Sequence, residues 1–250
     1  MYLQITTKCN MTCEHCCFAC TKYGRHGDLS TIKTAMSLIA EYKGNLTLGG
    51  GEPTLHPDFF EILEYGLLMF DNVWFATNGS QTEKMYRIHN IINDCDYDLV
   101  ECNCSDEDKD NGYCECYNNC IMSNGKLSVD LSQDIFHDSI DNRIVELWSK
   151  MKESKRYSNY GIRNTYKNGK LINSGRAKQN NLGTDSRCTC DDIFIKPNGN
   201  IFLCGCKNSP KIGDVWNGIE GKWWSIWEDY DNFKYGEEKC FKNIKRGLLI

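Results

Sequence analysis

No run of the chain approaches the roughly 20 apolar residues of a membrane span, and the opening MYLQITTKCN has neither the charged nor the apolar region of a signal peptide. A cytosolic protein is therefore expected. Long Lys/Arg runs are missing too, and 29 basic against 34 acidic residues give a formal net charge of -5. That balance implies no general attraction to nucleic-acid backbones. No internal repeat recurs along the 250 residues. What the chain does have is cysteine, 16 in all. Cytosolic thiols stay reduced, and clustered ones there bind metal more often than they form disulfides. A secreted disulfide scaffold is the competing class, but such scaffolds are small, whereas 40% of this chain is hydrophobic, with helix-length apolar patterns able to build a core.

The order of patterns is strand, helix, strand, helix. Residues 2–7 alternate as a strand and run into a cysteine loop. A helix is expected from a cap near Ser30, with Ile32, Ala35, Met36, Ile39 and Ala40 on one face. NLTLGGGEP reads as a strand entering a glycine loop, and PDFFEILEYGLLMF as a helix with Pro57 near its start. NVWFATNG is a third strand and TEKMYRIHNII a third helix. This alternation predicts a parallel α/β sheet. Residues 93–124, rich in Asp, Asn and Cys, read as an insertion, after which KLSVDLS, NRIVELWSKMKE and GIRNTY resume the rhythm. The loop NSGRAKQNNLG marks a boundary near residue 183, and DIFIKPNGNIFLCG beyond it is a hairpin turning at Pro197-Asn198-Gly199.

Cys9, Cys13 and Cys16 form a C-x3-C-x2-C run after the first strand. Three thiolates leave one iron of a four-iron cluster without a protein ligand, so it can bind a cofactor or substrate. Zinc is the competing reading, because Cys17, Cys20 or His15 can complete a four-ligand site. Gly49-Gly50-Gly51-Glu52-Pro53 follows the second strand. A lone glycine loop is an ordinary tight turn, but at the ends of parallel strands both motifs fall on the rim where barrel active sites form.

With these two motifs in this order, the chain resembles the radical S-adenosylmethionine (SAM) superfamily. The resemblance implies a partial TIM-like (β/α)6 barrel over residues 1–183, followed by a small cysteine-rich α+β extension over 184–250. It implies a [4Fe-4S] cluster on Cys9, Cys13 and Cys16, and SAM held by Gly50, Gly51, Glu52 and Pro53. Asn78, in the Thr77-Asn78-Gly79 segment ending the third strand, joins that set. So does Ser132, as the polar residue at the end of the fourth barrel strand, with Ser105 as a rival. Helix capping is the plainer role for Ser132. Ser174-Gly175-Arg176-Ala177 is similar to a segment near the barrel end of relatives, which makes Arg176 a candidate SAM contact beside the commoner surface role.

Cys188, Cys190, Cys204, Cys206 and Cys240 resemble the start of a SPASM or twitch extension, without the usual later cysteine series. Four of the five would hold one auxiliary iron-sulfur cluster, or structural zinc. In the insertion, Cys102, Cys104, Cys114 and Cys116 form two C-x-C pairs. In strands such residues share a side, so the pairs can converge on zinc, on a further cluster, or on nothing.

The family's chemistry is reductive cleavage of SAM to a 5′-deoxyadenosyl radical that abstracts hydrogen from a substrate. A peptide or protein substrate is expected by analogy with relatives carrying such extensions, and flavodoxin or ferredoxin as electron donor. Modification of a nucleoside, RNA or small molecule is the alternative, as is glycyl-radical activation. A zinc-binding interaction module would explain the thiols without the glycine loop.

Overall fold

The protein is described here by a computed structural model covering residues 1–40, 44–93, 126–153, 159–164, 171, 174–183, 193–205, 209 and 211–219. Its strands are β1 (Tyr2–Thr6), β2 (Asn45–Gly50), β3 (Asn72–Thr77), β4 (Leu127–Ser132), β5 (Tyr160–Arg163), β6 (Phe194–Ile195), β7 (Asn200–Phe202), β8 (Lys211–Asp214) and β9 (Gly218–Ile219). The helices are α1 (Leu29–Ala40), α2 (Phe59–Met69), α3 (Thr82–Asn93), α4 (Asn142–Glu153) and α5 (Gly175–Gln179). All strands lie in one sheet, ordered β5-β4-β3-β2-β1-β6-β7-β8-β9. The pairs from β5 across to β6 are parallel, and the remaining three antiparallel. Six parallel strands with helical crossovers make an open, TIM-like α/β barrel, the parallel sheet expected from the alternation and the barrel implied by the resemblance, with its sixth strand β6 lying beyond residue 183.

Period-two alternation sorts the two faces. Leu3, Ile5, Leu46, Leu48, Val73, Phe75, Leu127, Val129 and Leu131 are all buried in one cluster with Ile32, Met36, Ile39, Phe59, Ile62, Met85, Ile88, Ile144 and Trp148 of the helices. Each such side chain contributes about 1.5–3 kcal/mol by leaving water. The intervening strand residues, among them Tyr2, Thr47, Trp74, Ala76 and Ser132, point away from this core and line a cavity. In α1 the buried stripe contains Ile32, Ala35, Met36 and Ile39, with Ala40 half-buried against it.

Three local differences from the sequence reading have physical causes. Helix α1 begins at Leu29, because the Asp28 carbonyl accepts the first helical bond, from the Ile32 N–H at 3.0 Å. Ser30 lies inside the first turn, and its carbonyl accepts from the Thr34 hydroxyl. The segment read as the loop NSGRAKQNNLG contains the short helix α5, whose Arg-Ala-Lys-Gln run is made of good helix formers behind a glycine at φ 53°. The Pro197-Asn198-Gly199 hairpin forms, with Gly199 at φ 78°, but its first strand β6 also pairs with β1, at Tyr2 opposite Phe194. The sheet therefore runs without a break across residue 183. Residues 94–125, most of the expected insertion, lie outside the described residues. Among the described residues, no helix is long and apolar enough to cross a membrane.

Candidate cofactor site

The cysteine loop leaves β1 and is closed at its base by strand-like bonds. Thr7 N–H donates to the Arg25 carbonyl and Cys9 N–H to the Thr21 carbonyl, at 2.8 and 2.9 Å. Inside it, Cys16 N–H donates to the Cys13 carbonyl and Ala19 N–H to the Cys16 carbonyl, with Ala19 in the left-handed region at φ 53°. Arg176 holds the loop from outside. Its Nε donates to the Cys13 carbonyl at 2.9 Å, its Nη1 to the Cys20 carbonyl at 2.7 Å, and its own N–H to the Cys16 carbonyl at 2.9 Å.

Cys9, Cys13, Cys16, Cys17 and Cys20 are all free thiols facing one cavity. Burial pushes Cys9 up to about 11 and Cys13 and Cys17 up to about 12. Cys16 goes the other way, to about 5, because the Cys20 thiol hydrogen-bonds to it, and the same bond drives Cys20 upward. The Arg176 guanidinium favours the thiolates of Cys9, Cys13 and Cys16.

The glycine loop packs on the base of this cysteine loop. Gly51 N–H donates to the Thr6 carbonyl and Glu52 N–H to the Lys8 carbonyl, both at 2.9 Å. Gly50 has φ 152°, and a Cβ there would sit 2.2 Å from the Thr6 carbonyl oxygen, so only glycine allows the approach. Glu52 is fully buried, and both its carboxylate oxygens have protein donors. Oε1 accepts from the Thr54 N–H and hydroxyl and from the Thr77 hydroxyl at 2.7 Å, while Oε2 accepts from the Asn78 N–H at 2.7 Å. Burial raises its pKa against these bonds. Pro53 opens the following 3-10 turn. The Asn78 side chain donates to Asn10 Oδ1 at 2.9 Å, tying the end of β3 to the cysteine loop.

At the end of β4, the Ser132 carbonyl lies 3.0 Å from His137 Nδ1, and the Asp134 carboxylate lies 3.4 Å from His15 Nε2. Tyr2, Phe18 and Phe194 form an aromatic wall, with Tyr2 and Phe194 stacked at 5.0 Å. Tyr2 also accepts the Gly50 N–H on its hydroxyl.

The cavity measures about 430 Å³. Of the residues singled out from sequence, Cys9, Cys13, Cys16, Gly50, Gly51, Glu52, Asn78 and Ser132 line it, while Pro53 and Arg176 do not. Cys204 is buried just beyond β7, and its neighbour Gly205 reaches the cavity wall. Cys188, Cys190, Cys206 and Cys240 lie outside the described residues, as do Cys102, Cys104, Cys114, Cys116 and the rival Ser105. Sequence reasoning missed Tyr2, Trp74, His137, Arg163 and Phe194 on the wall. The signal for the strand residues was present, since Trp74 alternates with the buried Val73 and Phe75 and so must face the other side.

A parallel α/β barrel with a thiol-lined cavity at the strand ends is the frame of a cofactor-dependent enzyme. Residues 3–96 match the model of the Radical SAM superfamily. The mycofactocin maturase of Mycobacterium ulcerans is 32% identical over 96 residues, which cover 37% of this chain and 26% of that protein. The AdoMet-dependent heme synthase of Methanosarcina barkeri is 40% identical over 80 residues, covering 31% of this chain and 23% of that protein. The match thus spans about a quarter of the length of these relatives. A crystal structure of BtrN in complex with AdoMet and 2-DOIA superposes with a TM-score of 0.58 and 13% identity, covering 90% of this chain and 80% of that one, which shows the shared fold. Radical SAM enzymes use a [4Fe-4S] cluster and SAM. The donor set fits them: soft thiols suit iron-sulfur binding, and the cavity has the size of a small-molecule site.

Proposed function

We propose that this chain is a radical SAM enzyme that holds its cluster on Cys9, Cys13 and Cys16 and acts on a peptide or protein. The observation carrying this reading is that the three motif thiols, the glycine loop, Asn78 and Ser132 face a single cavity at the C-terminal ends of parallel strands. Held by Cys9, Cys13 and Cys16, the cluster would supply the electron for reductive cleavage of SAM. The chain's own residues organise the space around that event. Arg176 sets the loop carbonyls, Glu52 joins the glycine loop to the end of β3, and the Tyr2, Phe18 and Phe194 wall keeps water out. Gly50, Gly51, Asn78 and Ser132 offer backbone and small polar groups to SAM along the same cavity.

The peptide assignment is supported by likeness to the mycofactocin maturase and by the cysteine-bearing hairpin around Cys204. In this reading four of Cys188, Cys190, Cys204, Cys206 and Cys240 hold an auxiliary cluster, the electron donor is a flavodoxin or ferredoxin, and the protein works in the cytoplasm. Anaerobically reconstituted protein with a strong reductant is expected to form 5′-deoxyadenosine from SAM, and Cys13→Ala to form none. Mass spectrometry of candidate peptides after turnover then reads the substrate class; peptides left unmodified while a small molecule is consumed would overturn the peptide assignment.

A further inference from the structure

Of the chain's five histidines, three are engaged away from the thiols. His26 bonds Thr6, His56 bonds Gly27 and Asp58, and His89 bonds Tyr160. The other two converge on a cysteine: ligand atoms of Cys13, His15 and His137 all lie within 4.8 Å of one another. Both rings are set up in the way metal-binding imidazoles are, with one nitrogen occupied and the other left for the ion. His15 Nε2 faces the Asp134 carboxylate, whose side chain is 1% exposed. That leaves Nδ1, which is buried and has no hydrogen-bond partner. His137 Nδ1 faces the Ser132 carbonyl, which can only accept, so Nδ1 carries the proton and Nε2 keeps its lone pair. The His15 ring stacks on Phe136 at 5.0 Å and sits 5.4 Å from His137, which limits the orientation of both.

One ion with thiolate and imidazole bonds of ordinary length places such ligand atoms about 3.5 Å apart in a tetrahedron. In a four-iron cluster, by contrast, each thiolate sits on its own iron. Two imidazoles gathered on one sulfur therefore describe a mononuclear site, with its fourth position open to the cavity.

We propose that the cluster-free chain binds one divalent transition-metal ion, such as zinc, through Cys13, His15 and His137. Because Cys13 belongs to both sets, the ion and the cluster are mutually exclusive, and the chain exists in two alternative metal forms. The exclusivity rests on the cluster assignment proposed above; the mononuclear site does not.

The test uses the full chain, purified free of iron and titrated anaerobically with Co²⁺ as the probe. Paramagnetic NMR separates this site from all-cysteine sites elsewhere in the chain, because only bound histidine gives shifted, exchangeable imidazole N–H resonances. Two such resonances are expected, from His15 Nε2–H and His137 Nδ1–H. They should survive Cys9→Ala, and Asp134→Asn should weaken cobalt binding about 10–100-fold. Absence of both resonances from the wild type would overturn the site, as would their persistence unchanged in His137→Ala. In a second arm, zinc-loaded protein is given iron and sulfide, and zinc release is expected to track growth of the cluster absorption. A full cluster beside retained zinc would overturn exclusivity. If no cluster forms even in zinc-free protein, the cluster assignment fails, while the cobalt resonances still decide the mononuclear site.

Discussion

Arg176 donates through two edges of its guanidinium to the Cys13 and Cys20 carbonyls, and a lysine offers a point charge with no such fork. Arg176→Lys should therefore lower the stability of the cluster-free protein by about 1.5–3 kcal/mol, read by chemical denaturation. Glu52 is bonded only as an acceptor, so in Glu52→Gln the new amide meets either the Asn78 N–H or the Thr77 and Thr54 donors head-on. A loss of about 1–3 kcal/mol is expected by the same measurement. The thiols differ in reactivity for the reasons given by their surroundings. Near neutral pH, iodoacetamide should label Cys16 before Cys9 or Cys13 in the cluster-free protein, and Cys20→Ala should abolish that order, as peptide mapping would read. The raised thiols also set a direction for stability. Their unfolded forms ionise from the ordinary value of 9.0, while folded Cys13 and Cys17 hold their protons to about 12. The contribution of these two thiols is therefore full below 9.0 and is lost as pH rises through that window, whereas that of Cys16, held down to about 5, is lost as pH falls from 9.0, so thermal melts of cluster-free protein should place the optimum near 9.0 for this thiol set.

Helix α5 is the element whose importance was hardest to read from sequence. Gly175 opens it at φ 53°, and a Cβ there would lie 2.4 Å from the Cys17 carbonyl oxygen and 2.6 Å from that of Cys16. Gly175→Ala should push α5 off the cysteine loop and leave Arg176 out of reach, lowering cluster content after reconstitution as measured by iron per chain. Nothing local announces this contact, since Gly, Asn and Ser around a short Arg-Ala-Lys-Gln run read equally well as loop. The long elements were legible because burial enforces their period: Val73 and Phe75, or Ile32, Met36 and Ile39, can be apolar at that spacing only on a face that is covered. Of the candidate site, the cavity-lining thiols and glycines were legible as local motifs, and Phe194 and His137 were not. Those two reach the cavity only because distant strands meet there. Thr6 and Glu52 make the same point from inside, as buried polar groups whose cost is met by partners far along the chain.

The nine strands of the described residues form a single sheet with β1 at its middle, flanked by β2 on one side and β6 on the other. Tyr2 N–H donates to the Ile193 carbonyl at 2.9 Å, and the Tyr2 ring stacks on Phe194. Truncation after residue 183 should thus expose an apolar, unpaired edge of the central strand and leave the cavity without one wall. The shortened chain is expected to aggregate or to lose cooperative melting, read by light scattering and circular dichroism; a soluble chain that melts like the full one would show that β6 is dispensable. The position of β1 has a further consequence in time. Synthesis delivers Tyr2 and the thiols behind it first, yet the strand that completes their neighbourhood, beginning at Phe194, comes off the ribosome long afterwards. Throughout that interval the cysteine loop hangs from a half-built sheet, so the cavity it lines closes late in synthesis, once β6, the last parallel strand among the described residues, has docked.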